Sequence, residues 1–308
     1  MQIALALFVL GGVCLSTLDA VGKLLMSEVS LLLLIWARYL GQVAISLPLS
    51  YYFAGPRFWV TTKPKIQLTR SVLLGLTSIF FFGGIQWLPL AEASAISFTA
   101  PIWVAVLSAS ILGERVAKSD WWVAAIGFSG ILLIVRPGTE VFHPAAILVG
   151  MMAFTNAIYQ LLTRKLTDDH PFTTFFYSGL VGMFVSTVWI LIVGFDENLS
   201  WTTIGLLGSV GVLGGVGHLL FVLAFYRASP STLTPFVYLQ MIWAIGFGWV
   251  MFAQFPDFLA LIGMAVIVGS GLWLILHRHR SQRGGPAPLP SPNQSMTSSG
   301  EANHQRSN

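Results

Sequence analysis

"AFYRASPSTLTPFVYLQMIWAIGF", residues 224–247, repeats in outline "GIQWLPLAEASAISFTAPIWVAVL", residues 84–107. A shift of 140 residues (224 minus 84) sets Trp243 opposite Trp103 and Ser231 opposite Ala91. Two further pairs keep the same order: "DAVGKLL" (19–25) with "NAIYQLL" (156–162), and "GFSGILLIV" (127–135) with "GSGLWLIL" (269–276). Three matches in one order indicate an internal duplication.

The duplicated unit is built for a bilayer. The 308 residues are 55% hydrophobic and only 9% charged, with mean hydropathy +0.77; a soluble domain carries about 25% charged residues. A spanning helix needs about 20 mainly apolar residues. That ruler finds ten runs, at roughly 3–22, 31–53, 69–89, 92–112, 121–136, 145–163, 173–194, 202–226, 232–252 and 258–277. Five spans per copy is an odd number, so the second copy enters the membrane upside down. Inverted repeats are typical of secondary transporters, with the substrate held near the midplane between the halves.

The expected fold is therefore an all-α integral membrane protein of ten transmembrane helices, as two inverted five-helix repeats, residues 1–138 and 139–278. The polar Pro/Ser/Gly-rich stretch 279–308 reads as a disordered tail. With the N-terminus inside, thirteen of the sixteen Lys and Arg fall on the cytoplasmic side, Arg70 among them. Only Lys23 and Arg136 fall outside, and Arg38 lies within the second span. By the positive-inside rule both termini are cytoplasmic.

Several chemistries find no support. The basic charges lie in short loops between apolar runs, which fits membrane orientation and not nucleic acid. Cys14 is the lone cysteine and has no ligand-spaced partners, so neither a disulfide nor a metal site is expected. The first run lacks a basic leader and an A-x-A-like site, and reads as a membrane helix. "GFSG" (127–130) matches a short signature of intramembrane serine proteases, with His218 as a base. The second copy carries "GSG" in its place, which fits helix packing better. No phosphate-binding loop or His-Glu-x-x-His motif is present, so neither a cofactor nor an enzyme is expected.

"FTAPIWVAVLSASILGERV" (98–116) and "LTPFVYLQMIWAIGFGWVMFAQFPDFLALIGMAVIVGSG" (233–271) resemble the ten-helix EamA family of the drug/metabolite transporter superfamily. The resemblance covers the chain except its tail, and Gln254 stands where the family often has Glu. It implies a carrier of small metabolites in the cytoplasmic membrane, with members that export amino acids and drugs or import vitamins and cofactors. The opening "LDAVGKLL…LLLIWARYLGQ" is similar to members that take up riboflavin or S-adenosylmethionine.

The candidate site residues are polar or aromatic groups where hydrocarbon is expected. Asp19 and Arg38 lie nine residues before and ten after the turn near Glu28. In an antiparallel hairpin they sit at matched depth, which predicts an ion pair facing the cavity. Lys23 is expected to snorkel to the headgroups. Glu92 opens the fourth span and is the candidate for proton coupling, or else a cap favoured by the helix dipole; Glu114 braces the following loop.

His218 follows Gly205, Gly208, Gly211, Gly214 and Gly217, a small-residue stripe that lets a neighbouring helix approach. Tyr238, Gln240 and Trp243 follow Pro235 in the ninth span, and Thr99 and Trp103 flank Pro101 in the fourth. Interrupted helices at matching places in both halves point to the binding site. Trp36, Trp103, Tyr238 and Trp243 offer surfaces for a flat ring or a cation, and Asn156 and Tyr159 face the cytoplasmic mouth.

Together these predict a secondary transporter working by alternating access on a small polar, zwitterionic or aromatic metabolite. A vitamin or cofactor importer is the alternative to an exporter of amino acids or drugs. A channel or a non-transporting receptor is the outside class. Its partners are the substrate and the lipid bilayer, with a homodimer left open.

Overall fold

The computed structural model describes residues 2–113, 118–139, 142–194, 199–228 and 233–283. Their regular structure is all helical, with no strand among them. The helices are α1 (Gln2–Leu25), α2 (Leu31–Ala54), α3 (Pro64–Ile85), α4 (Leu90–Ser97), α5 (Ala100–Leu112) and α6 (Lys118–Val135). They continue as α7 (Ala145–Arg164), α8 (Pro171–Val193), α9 (Trp201–Arg227), a 3₁₀ turn (Thr234–Tyr238), α10 (Leu239–Phe252) and α11 (Phe258–Arg283). The main unit is Met1–Ile275; Leu276–Asn308 forms a second, of which the helical turns to Arg283 are described. Glu114, and residues 284–308 of the expected tail, lie outside the described residues.

Among the described residues, eight segments are long and apolar enough to cross a membrane, counting α4 and α5 together as Leu90–Leu112. Trp121–Val135 and Phe236–Phe252 are apolar but shorter. These ten segments coincide with the ten apolar runs. Local signals explain their ends: Ser30 and Ser200 cap α2 and α9 through their side-chain oxygens. Gly55 and Gly194 end α2 and α8 at positive φ.

Two runs are interrupted. The fourth breaks at Phe98 and Thr99, between α4 and α5, just before Pro101. The ninth begins as the 3₁₀ turn that holds Pro235. A proline lacks the amide proton that a continuous helix requires and crowds the preceding turn.

The packing partners are mostly distant in sequence. The main partner of α1 is α9, and that of α3 is α7. α2 packs on α8 and α9, and α4 on α10. α6 meets α11 where Gly130 faces Gly263 backbone to backbone. α1 and α2, though consecutive, make at most marginal contact, because both lie against α9. In lipid, helices associate through close packing and not water exclusion, so small residues carry these contacts.

The expected glycine stripe on α9 is only half a packing surface. Gly211 rests on α2, where a Cβ would meet the Ala37 carbonyl oxygen at 2.7 Å and the Cα of Gly41 at 3.1 Å. Gly214 and Gly217 pack on Leu18 and Leu15 of α1, whereas a Cβ on Gly205 or Gly208 would meet no other part of the protein within 4 Å. Gly211→Val is thus expected to abolish the monodisperse gel-filtration peak in detergent. Gly208→Val should elute as wild type does.

Candidate functional site

Buried polar groups converge where α2, α3 and α9 meet. Arg38, only 8% exposed, donates from Nη1 to the Ser78 hydroxyl and to Tyr39 Oη at 3.3 Å. Its Nη2 lies 3.3 Å from His218 Nε2. A guanidinium can only donate, so the imidazole accepts at Nε2 and carries its proton on Nδ1. Tyr39 Oη in turn donates to the Leu74 carbonyl at 3.0 Å.

Asp19 lies near enough for the Arg38 charge to act on it, but the expected ion pair is absent: no N···O approach reaches 4.0 Å. The hairpin assumption fails because α9 separates α1 from α2, and Arg38 is drawn to Ser78 and His218. Among the described residues neither Asp19 nor Arg38 has an oppositely charged partner at bonding distance.

A second buried arginine lies two turns along α3. Arg70 is 1% exposed, so it is not the loop charge expected from sequence. It donates from Nε to Thr163 Oγ1 at 3.1 Å, and from Nη1 to Gln67 Oε1 and the Thr174 carbonyl, both at 3.0 Å. Nη2 reaches Tyr159 Oη at 3.0 Å and Ser178 Oγ at 2.8 Å, and the guanidinium carbon lies 4.8 Å from the Tyr159 ring centre. Arg70 is the second residue of the 69–89 run, where a basic side chain reads as a charge at the cytoplasmic end of the span. The missed signal is the buried polar face Gln67–Arg70–Ser71–Ser78 at helical spacing.

Gln67 links Arg70 to the end of the bundle. Its Nε2 donates to Asp169 Oδ2 at 2.9 Å in the α7–α8 loop. Asp169 also accepts from the Thr61 hydroxyl and from the Thr62 amide and hydroxyl, both at 3.2 Å, in the α2–α3 loop. Lys63 Nζ pairs with Asp168 at 2.9 Å and reaches the Lys165 carbonyl at 2.8 Å. Burial would raise the Asp169 carboxyl, but the hydrogen bonds from Thr61, Gln67 and Thr62 outweigh it and hold the group below its ordinary value.

The opposite end is also bridged. Lys23 does not snorkel: Nζ donates to the Leu88 carbonyl and to Gln254 Oε1 (3.2 Å), 5.2 Å from the Phe252 ring centre. Gln254, the departure from the family's Glu, is thus a neutral partner for this lysine. Glu92 lies in the first turn of α4 and is half-buried, with the charges of Lys23, Arg136 and Asp257 acting on it. Arg136 pairs with Asp257, and Thr203 Oγ1 donates to Glu28 at 2.7 Å.

The remaining candidates divide. Tyr159 belongs to the Arg70 network. Gln240 packs on Gly12 of α1, and Asn156 is half-buried on α7. Trp36 Nε1 donates to Thr187 Oγ1 at 2.9 Å, on α8. Trp103 makes an edge contact with Phe154, ring centres 5.4 Å apart. Tyr238 turns its hydroxyl to Gly271 of α11 and its ring to Phe98. Trp243, 39% exposed, lies outside these networks. Ser129 of the protease-like motif donates to its own helix at the Ile126 carbonyl, and His218 is occupied by Arg38.

A polar interior of this kind, within a shell of apolar helices, suits passage of a polar solute. The model of the EamA-like transporter family matches residues 2–136 and again 143–276. The chain belongs to the EamA-like transporter family. It is a multi-pass membrane transporter of small metabolites and not an enzyme. It is 27% identical over 277 residues to the S-adenosylmethionine uptake transporter of Rickettsia felis, covering 87% of this chain and 90% of that protein. The Pseudopaline exporter CntI of Pseudomonas aeruginosa is 28% identical over 205 residues, 65% of this chain and 71% of that one. A solved crystal structure superposes with a TM-score of 0.63 at 17% identity, over 89% of this chain and 98% of its own; that likeness shows the fold alone.

Proposed function

We propose that this EamA-like transporter takes up an S-adenosylmethionine-type substrate, a cationic nucleoside carrying an α-amino acid, by alternating access. One observation carries the reading: Arg38 and Asp19, opposite charges in the interior, are without ion-pair partners at bonding distance. Arg38 receives the substrate carboxylate and Asp19 its positive charge, with His218 beside them. The inward direction follows the relative from Rickettsia felis. Tyr159 and Asn156 serve the cytoplasmic passage and Gln240 the wall on α1. Trp36, Trp103, Tyr238 and Trp243 support this lining.

The ten segments cross the membrane as two inverted copies, 1–138 and 139–278, with both termini cytoplasmic. The packing supports this reading. If each segment corresponds to the one five places later, the α1–α9 pair maps onto α7–α3, and α2–α9 onto α8–α3; all four contacts are present. The two interrupted runs, at α4–α5 and at the 3₁₀ turn, also correspond under that mapping.

Purified protein in liposomes is expected to accumulate labelled S-adenosylmethionine, with Asp19→Asn reducing uptake at least about tenfold, equivalent to ~1.4 kcal/mol. Absence of uptake by active-sized, monodisperse wild-type protein would overturn the substrate assignment.

A further inference from the structure

One turn along α2 from Arg38, Gln42 is fully buried at 0% exposure, yet neither its amide nitrogen nor its amide oxygen has a hydrogen-bond partner. Arg38 Nε is also without one. The other guanidinium nitrogens are engaged, Nη1 by Ser78 and Tyr39 and Nη2 by His218. Buried unpaired polar groups are costly and rare in folded proteins, and a leucine or methionine would occupy a similar volume without that cost.

Residues four apart share a helix face, and helical side chains lean toward the N-terminus. The Gln42 amide is therefore carried toward the level of Arg38, although the two do not bond each other. The Gln42 stem is held by backbone: a Cβ on Gly179 of α8 would lie 3.2 Å from its Cγ, and one on Gly215 of α9 3.2 Å from its Cα. The terminal amide is the part left to turn. One buried face thus presents a cationic N–H donor, an amide donor and an amide acceptor, all unsatisfied.

We propose that Arg38 and Gln42 together read an α-amino-acid head group. The substrate carboxylate accepts from Arg38 Nε and Gln42 Nε2, and the substrate ammonium donates to Gln42 Oε1. This rests on the assignment of Arg38 to the carboxylate under Proposed function. It adds Gln42 as the residue that distinguishes an amino acid from the corresponding amine or a bare nucleoside. The head group reaches the pair when α2 parts from α8 and α9, so recognition and rearrangement are one event.

The test measures thermal stability of the purified full chain against matched pairs: S-adenosylmethionine and its decarboxylated analogue, and methionine and the amine derived from it. Wild type should be stabilised by the acid of a pair at concentrations at least about tenfold lower than by the amine. Gln42→Leu should lose that preference to within about threefold while its ligand-free melting temperature stays level or rises. Gln42→Met serves the same purpose if the leucine variant does not fold. Full retention of the acid preference in either folded variant overturns the inference.

The two readings fail separately. If S-adenosylmethionine is accumulated equally by wild type and Gln42→Leu, with the acid preference intact, Gln42 is not a recognition residue and the proposed function stands. If wild type ignores S-adenosylmethionine but prefers methionine over its amine, and Gln42→Leu abolishes that preference, the proposed substrate falls and the head-group reading holds.

Discussion

Arg38→Lys is expected to lower the initial rate of substrate uptake in liposomes by at least about a hundredfold, while the protein still folds as a monodisperse species. The guanidinium spreads its donors over three helices, to Tyr39 on α2, Ser78 on α3 and His218 on α9, with Nε left for the ligand. An ammonium is a point charge on a flexible stem and cannot hold those directions together. A hundredfold loss corresponds to ~2.7 kcal/mol, within the range for losing a charge-assisted hydrogen bond with a bound partner. Stability should fall far less, because Arg38 has no carboxylate partner in the folded protein whose charge would be stranded, and Tyr39 and Ser78 keep their bonds to the Leu74 carbonyl. Wild-type uptake by the lysine variant would shift the anion contact to Arg70.

The second large effect falls on stability. Asp169→Ala should destabilise the protein by about 3 kcal/mol, since it strands donors from Thr61, Thr62 and buried Gln67 at once. The pH dependence has a definite sign. The carboxyl is held below its ordinary value, so its contribution is complete above the unfolded value of about 3.9 and is lost as pH falls through the lower folded value. Melting temperatures of wild type and Asp169→Asn should therefore differ at pH 7 and converge below about pH 4. A constant gap over that range would mean that the carboxylate charge contributes nothing. Asp168 is a useful control: its pair with Lys63 is largely exposed, and such pairs are worth at most about 1 kcal/mol.

Hydropathy alone made the ten segments legible, and Pro101 and Pro235 marked the two that break. Those features depend on local composition, which a chain displays openly. The charged interior was legible only in part. Asp19, Arg38 and His218 stood out because each interrupts an apolar run, but their pairing depended on which helix lies between α1 and α2. That is a tertiary fact carried by Gly41 and Gly211, 170 residues apart (211 minus 41). Arg70 was hidden by its position at the edge of its apolar run, where a basic residue reads as a charge at the cytoplasmic end of the span. Gln42 carries no charge, and its signal is the four-residue spacing Arg38–Gln42–Ser46–Ser50, all buried on one face of α2.

The insertion of α9 between α1 and α2 governs how the protein can be made. The nascent chain releases α1 and α2 into the membrane long before their shared neighbour exists. Arg38 and His218 are 180 residues apart, so at 5–20 residues per second the ribosome needs roughly 9–36 s to join them. During that interval Arg38 lacks the His218 that it meets in the finished protein. The two halves expressed apart should be degraded, whereas the same halves made together in one cell should accumulate as a complex.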